Sequence, residues 1–175
     1  MMEPQRHRGT EHNPLYFCIS VVNLSVRSAS MKKTPHQVER DKPITAAEIE
    51  DLRSAVGWER FENKYDRVLK SSYAHFTVRQ GRRLVAFLNV ISDGVGDAFL
   101  VDLMVHPDFQ KRGIGNAIVS RAIKDLTKDG IRCIQATFRP KHEGFYRRCG
   151  FYIFKAGIID NDAPLKEQAG IMRRR

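Results

Sequence analysis

Gln110, Lys111, Arg112, Gly113 and Gly115 fall within six consecutive positions of "VHPDFQKRGIGNAIVSRAI" (residues 105–123), between an apolar run and a helical pattern. Joining a strand to a helix does not need this composition, because two or three turn residues suffice. A helix N-terminus offers unpaired N–H groups and about half a positive charge, which together suit a phosphate. Gly113 and Gly115 would let backbone approach oxygens with no Cβ between, and Lys111 and Arg112 add charge. Each exposed contact of this kind is worth only about 0.3–1 kcal/mol, so several must converge on one ligand. The Gly-Lys-Ser/Thr of a nucleotide phosphate loop is absent, as is the three-glycine dinucleotide fingerprint with its acidic residue. A pyrophosphate-bearing ligand other than ATP or NAD is left.

The elements that must hold this junction can be read around it. "ITAAEIEDLRSAV" (44–56) opens on Thr45 with Glu48 three residues later, a capping box, then spaces Ile49, Leu52 and Val56 as a helix. "FENKYDRVLKSS" (61–72) reads as a second helix, and "HQVERD" (36–41) as a first strand. Period-two runs follow: "YAHFTVRQ" (73–80), "RLVAFLNVI" (83–91) and the nearly all-apolar "AFLVDLMVH" (98–106), whose continuity predicts burial on both faces. Residues 116–130 predict a long amphipathic helix with Ile114, Ala117, Ile118, Ala122, Ile123 and Leu126 as its core stripe. Strand 131–138, a short helix over 142–149 and a last strand over 150–159 complete the order β-α-α-β-β-β-α-β-α-β.

Bulk properties narrow the class. The chain has 175 residues and a net charge of +10, and no apolar run reaches the ~18 residues of a membrane span. Residues 110–148 carry ten basic and three acidic side chains, enough to attract a polyanion, whether nucleic acid or a phosphorylated cofactor. Cys18, Cys133 and Cys149 are odd in number and lack metal spacing, so buried thiols of a cytoplasmic protein are expected, with no metal. Residues 1–34 show no sustained period and read as a poorly ordered extension, within which Met31 ("MKKTP") is a second candidate start. The domain is expected over 35–160, with a basic tail at 161–175.

With these residues on the page, "QKRGIG" after "VHPDF" and before a long helix resembles the acetyl-CoA motif of the GNAT superfamily of N-acetyltransferases, Gln/Arg-x-x-Gly-x-Gly/Ala. "GFYRRCGF" (144–151) resembles that family's Phe-Tyr-x-x-x-Gly-Phe segment. The two stand in the family's order and cover roughly 36–156. The resemblance implies an α/β (α+β) fold with a mixed central sheet of about six strands, helices on both faces, and strands splayed at a cofactor cleft. It implies acetyl-CoA as cosubstrate, its pyrophosphate on the amides of Lys111, Arg112, Gly113, Ile114, Gly115 and Asn116, introduced by Gln110. Leu103, Met104 and Val105 would pair their backbone with the pantetheine arm. Tyr146 would serve as general acid to the leaving sulfur, its pKa lowered by neighbouring arginines; as a helix-packing aromatic it would need no such role.

The implied partner is a primary amine, small or peptide-borne, which attacks only as its free base. With a pKa near 10.4 about one molecule in 2,500 is neutral at pH 7, a deficit of about 4.6 kcal/mol, so a proton acceptor is required. Where some family members carry a glutamate early in the central strand, this chain has Ala98; Asp97 and Asp102 are the candidate substitutes. Asp102 in so apolar a strand has either a hydrogen-bonded structural role or a functional one. Trp58, Phe61, Tyr65 and Phe76 are candidate acceptor-site walls. Two alternatives stand beside this reading: an acyl-CoA-binding sensor without turnover, and a nucleic-acid-binding module, disfavoured for want of zinc spacing or RNA-binding aromatics. The oligomeric state is left open, a homodimer included.

Overall fold

Five strands form one sheet in the order β1-β2-β3-β4-β5 in a computed structural model that describes residues 36–61 and 64–157. The strands are β1 (Val38–Arg40), β2 (Ala74–Gln80), β3 (Arg83–Ser92), β4 (Asp97–Val105) and β5 (Cys133–Ala136). β1 to β4 pair antiparallel and β5 joins β4 in parallel, so the sheet is mixed as expected. The helices are α1 (Ala46–Ala55), α2 (Tyr65–Ser71), α3 (Ile114–Lys128) and α4 (Glu143–Arg148). The expected extension and basic tail lie outside the described residues.

The capping box at the start of α1 is present: Thr45 Oγ1 accepts from the Glu48 N–H at 3.3 Å, and the Thr45 N–H donates to Glu48 Oε2 at 3.0 Å. α3 covers one face of the sheet, burying Ile114, Ile118, Ala122 and Leu126 against Phe76, Leu88 and Leu100. Truncating such a side chain costs about 2–5 kcal/mol. The other face is covered by α1 and α2, with Ile49, Leu52 and Tyr65 packed on Phe87 and Met104. Phe76 therefore sits under α3 and walls nothing on the α1–α2 side, contrary to expectation.

Two strand readings need correction. The strand buried along most of its length is β3, where every residue from Leu84 to Val90 is buried. β4 buries Ala98, Leu100 and Met104, but leaves Phe99 41% exposed, because α1 and α2 cap only the Met104 end of that face. The sixth strand expected over 150–159 is not formed over its described residues, 150–157. Tyr152 and Phe154 are 74% and 81% exposed there, so alternating apolar residues marked a strand pattern with no pairing partner among the described residues.

The feature that shapes the site is a bulge in β4. Phe87 pairs with Met104 and Asn89 with Val101, so Asp102 and Leu103 together oppose Leu88 alone. Asp102 takes up the extra residue at φ 53°, in the left-handed region. Its pairing with β5 ends at Leu100↔Ala136. β5 ends there, so from residue 101 onward the β5 side of β4 has no strand partner among the described residues, and β4 runs on alone.

Candidate active site

Past the end of β5, β4 leads straight into the junction singled out by the sequence. A 3-10 turn at Pro107–Phe109 follows β4, capped by His106, whose Nδ1 accepts from the Asp108 N–H at 3.2 Å. Gln110 Nε2 donates to the Val105 carbonyl at 3.0 Å, which fixes the turn to the strand end. Lys111 at φ 59° and Gly113 at φ 86° then swing the chain into α3. The first amide of α3 with a carbonyl partner is Ala117, bonded to Gly113 at 2.9 Å, so those of Ile114, Gly115 and Asn116 lack an intrahelical acceptor. They open on a pocket of about 310 Å³ lined by Val105, Phe109, Gln110 and Lys111, and by Phe145 and Arg148 of α4.

The candidate binding residues divide by what each can offer. Ile114 is buried in the core and gives the pocket only its backbone. The Arg112 guanidinium lies 5.2 Å from the centre of the Phe109 ring and, like Lys111, is exposed at the rim. Leu103 packs toward α3 and Met104 toward α1, so their side chains are structural while their backbone lies on the unpaired edge of β4. α4 closes the opposite wall: Cys149 Sγ donates to Asn116 Oδ1 at 3.6 Å. Burial pushes the Cys149 thiol up to about 11, the reverse of an activated nucleophile.

Tyr146 is 7% exposed, stacked on Phe138 at 4.2 Å and edge-on to Phe145 and Phe151. Its stacking on Phe138 places it beside the segment that follows β5. Burial raises its pKa, with Cys149 adding to the rise, whereas the sequence reading had arginines lowering it. Arg147 turns instead to Glu143, Nε to Oε1 at 2.8 Å, and Arg148 goes to the pocket wall.

The two candidate carboxylates separate cleanly. Asp97 begins β4, five residues from Asp102 and about 16 Å away along the strand. Its Oδ1 accepts from Gln135 Nε2 of β5 at 2.9 Å, at the opposite end of β4 from the junction. Asp102 lies at the bulge, two residues past the end of the β5 pairing. Its Oδ2 accepts from the Tyr65 hydroxyl at 3.1 Å, and Arg53 Nη1 approaches Oδ1 at 3.8 Å and donates to the Tyr65 oxygen at 3.1 Å. Arg53 also lies 5.1 Å and 5.0 Å from the Trp58 and Phe61 ring centres, both about 40% exposed. Sequence reasoning missed Arg53, because α1 and the bulge meet only in three dimensions.

The described elements offer a row of free amides suited to a phosphate and an unpaired strand edge suited to an extended arm, with Asp102 on β4 and Tyr146 on α4. Comparison with known proteins gives the family. The model of the Acetyltransferase (GNAT) family matches residues 42–151, and the chain belongs to that family of acyltransferases. It is 32% identical over 151 residues to GCN5-related N-acetyltransferase 1, chloroplastic, of Arabidopsis thaliana, spanning 85% of this chain and 74% of that protein. It is 35% identical over 115 residues to an uncharacterized N-acetyltransferase of Porphyra purpurea, spanning 63% of this chain and 66% of that one. Among solved structures, a GNAT-family acetyltransferase of Streptococcus pneumoniae superposes with TM-score 0.61 at 23% identity, over 72% of this chain and 98% of that one. The ribosomal-protein-S18-alanine N-acetyltransferase of Escherichia coli does so with TM-score 0.59 at 19% identity, over 68% and 80%. At such identities the structures speak for the fold alone.

Proposed function

We propose that the chain moves the acetyl group of acetyl-CoA to a primary amine by direct attack, with no covalent acetyl-enzyme. The observation that carries this reading is the set of unbonded amides at Ile114, Gly115 and Asn116, reached where β4 continues beyond the end of β5. Pyrophosphate oxygens accept from those amides, and Lys111, Arg112 and Arg148 at the rim balance their charge. The pantetheine arm then runs along the free edge of residues 101–105. Acetyl-CoA supplies the activated acyl carbon; the protein orients it and handles the protons.

The amine enters from the α1–α2 side, between Trp58, Phe61 and the bulge. Asp102, about one-quarter exposed, takes its proton. Tyr146 donates to the departing thiolate, whose pKa of about 8.5 lies below the ordinary tyrosine value of about 10. Burial widens this mismatch, so the Tyr146 hydrogen bond acts first by stabilising negative charge on sulfur as it develops. Titration calorimetry tests the cradle: CoA should bind well over tenfold tighter than pantetheine, which has the arm but no pyrophosphate. Equal affinities would remove residues 111–116 from the site. Location is read separately, by imaging the full chain fused to a fluorescent protein: the sequence reading favours the cytoplasm, and a plastid signal would overturn that.

A further inference from the structure

We propose that Tyr65, a buried residue of α2, is a positioning residue that holds the Asp102 carboxylate toward the incoming amine. This rests on the reading of Asp102 as the proton acceptor. Tyr65 has no exposed surface and packs edge-on against Phe87 at 6.3 Å, a place that phenylalanine would fill as well. Its hydroxyl nevertheless links two charged groups, donating to Asp102 Oδ2 at 3.1 Å and accepting from Arg53 Nη1 at 3.1 Å. Burial and the Asp102 charge push Tyr65 up to about 12, so the phenol keeps its proton through the neutral range and always has one to donate.

The two oxygens of Asp102 are thereby made different. Oδ2 is tied to the phenol, while the nearest cation to Oδ1, Arg53 Nη1, stands at 3.8 Å, beyond hydrogen-bond reach. A carboxylate meant only to neutralise Arg53 would be gripped at both oxygens by the guanidinium fork. Here one oxygen is anchored and the other keeps its lone pairs for a ligand. The anchor matters because Asp102 sits at φ 53° on a bulge, where the backbone gives the side chain little support from neighbouring pairs. In the reaction the amine, having lost its extra proton to solvent and bound as the free base, forms the C–N bond as the C–S bond breaks. The nitrogen's proton passes to Asp102 Oδ1, the sulfur takes one from Tyr146, and water restores both groups.

The test is a double-mutant cycle of Tyr65→Phe and Asp102→Asn in the full chain, with acetyl-CoA and three probe amines: tryptamine, lysine and an alanyl peptide. A hydrogen bond to a charged group is worth about ten- to a hundredfold in rate. Tyr65→Phe should lower kcat by that factor, with CoA affinity by calorimetry and the unfolding midpoint nearly unchanged. In the Asp102→Asn background it should add no further loss. If Asp102→Asn lowers kcat while Tyr65→Phe stays within threefold of the parent, or if the two losses multiply, the positioning role is overturned and Asp102 keeps its place. If Asp102→Asn itself retains the parental rate, Asp102 is not the proton acceptor and the positioning role falls while acetyl transfer stands; if the parent acetylates none of the three amines, the proposed function fails for them and the positioning role falls with it.

Discussion

Gly115 lies so close to the Phe145 ring that a Cβ at that position would meet Cε2 at 3.4 Å. This contact joins two stretches that are thirty residues apart in sequence, "QKRGIG" and "GFYRRCGF", into one wall of the same pocket. The second glycine of the junction thus does two things, exposing an amide and letting α4 close against α3. Gly115→Ala should be nearly neutral in stability, since the ring needs to give by only tenths of an ångström and alanine regains up to about 1 kcal/mol of helix propensity. Gly115→Val should push Phe145 into the pocket and weaken CoA binding by about tenfold. Equal CoA affinities for the two variants in calorimetry would contradict this role.

Gly113 works differently. Nothing in the protein lies within 4 Å of where its Cβ would be, so space does not demand glycine there, but φ 86° does. Gly113→Val should cost about 1–2 kcal/mol of stability through backbone strain, read as a lower urea midpoint. It should also weaken CoA at least tenfold, because the turn that aims the amides is disturbed. Destabilisation with unchanged CoA affinity would leave the strain argument intact and remove the phosphate from this loop.

Tyr146→Phe keeps the ring that stacks on Phe138 and removes only the hydroxyl. The expected loss is in kcat, by about a hundredfold or more, with CoA affinity and melting temperature nearly unchanged. A kcat within threefold of the parent would make Tyr146 a packing residue, leaving water or the amine itself to protonate the sulfur.

Glu48 provides a pH test of the scaffold. Its hydrogen bond from Arg79 and those from the Thr45 backbone and hydroxyl hold the carboxyl at about 2, against an ordinary 4.5. A depressed carboxyl stabilises the fold above its unfolded value, and that contribution is lost as pH falls from about 4.5 through about 2. Glu48 is one-third exposed, so screening keeps the effect near that of a helix cap, about 1 kcal/mol. Glu48→Gln should therefore melt lower than the parent at pH 7, and the difference should shrink as the pH approaches 2. A gap that is constant with pH would show that the charge contributes nothing.

Most of the scaffold was legible in the sequence because its signals are local. Period two marked β2 and β3, a nearly continuous apolar run marked β4, the Thr45–Glu48 pair marked α1, and the apolar stripe through 116–130 marked α3, which begins two residues earlier at Ile114. What escaped was whatever depends on a neighbour from elsewhere in the chain. The bulge at Asp102 exists only against Leu88 in β3, and the exposure of Phe99 follows from how far α1 and α2 reach across the sheet. The arginines after Tyr146 suggested a lowered pKa, yet their side chains turn to Glu143 and to the pocket. Asp102 was legible as an anomaly, an acid in an apolar strand; its partners Tyr65 and Arg53 were not, because no spacing connects α1, α2 and β4.

The central claim is transfer of the acetyl group, and thiol release measured together with product mass tests it most directly. The full chain is incubated with acetyl-CoA and a panel of aliphatic, aromatic and peptide amines, free thiol is followed by absorbance, and acetylated amine is quantified by mass spectrometry. The expected result is thiol released in equal amount to one acetylated amine, abolished when that amine is left out. Tight CoA binding with thiol release no faster than in buffer, across the whole panel, would contradict the account and identify a binding protein that senses acyl-CoA without turning it over.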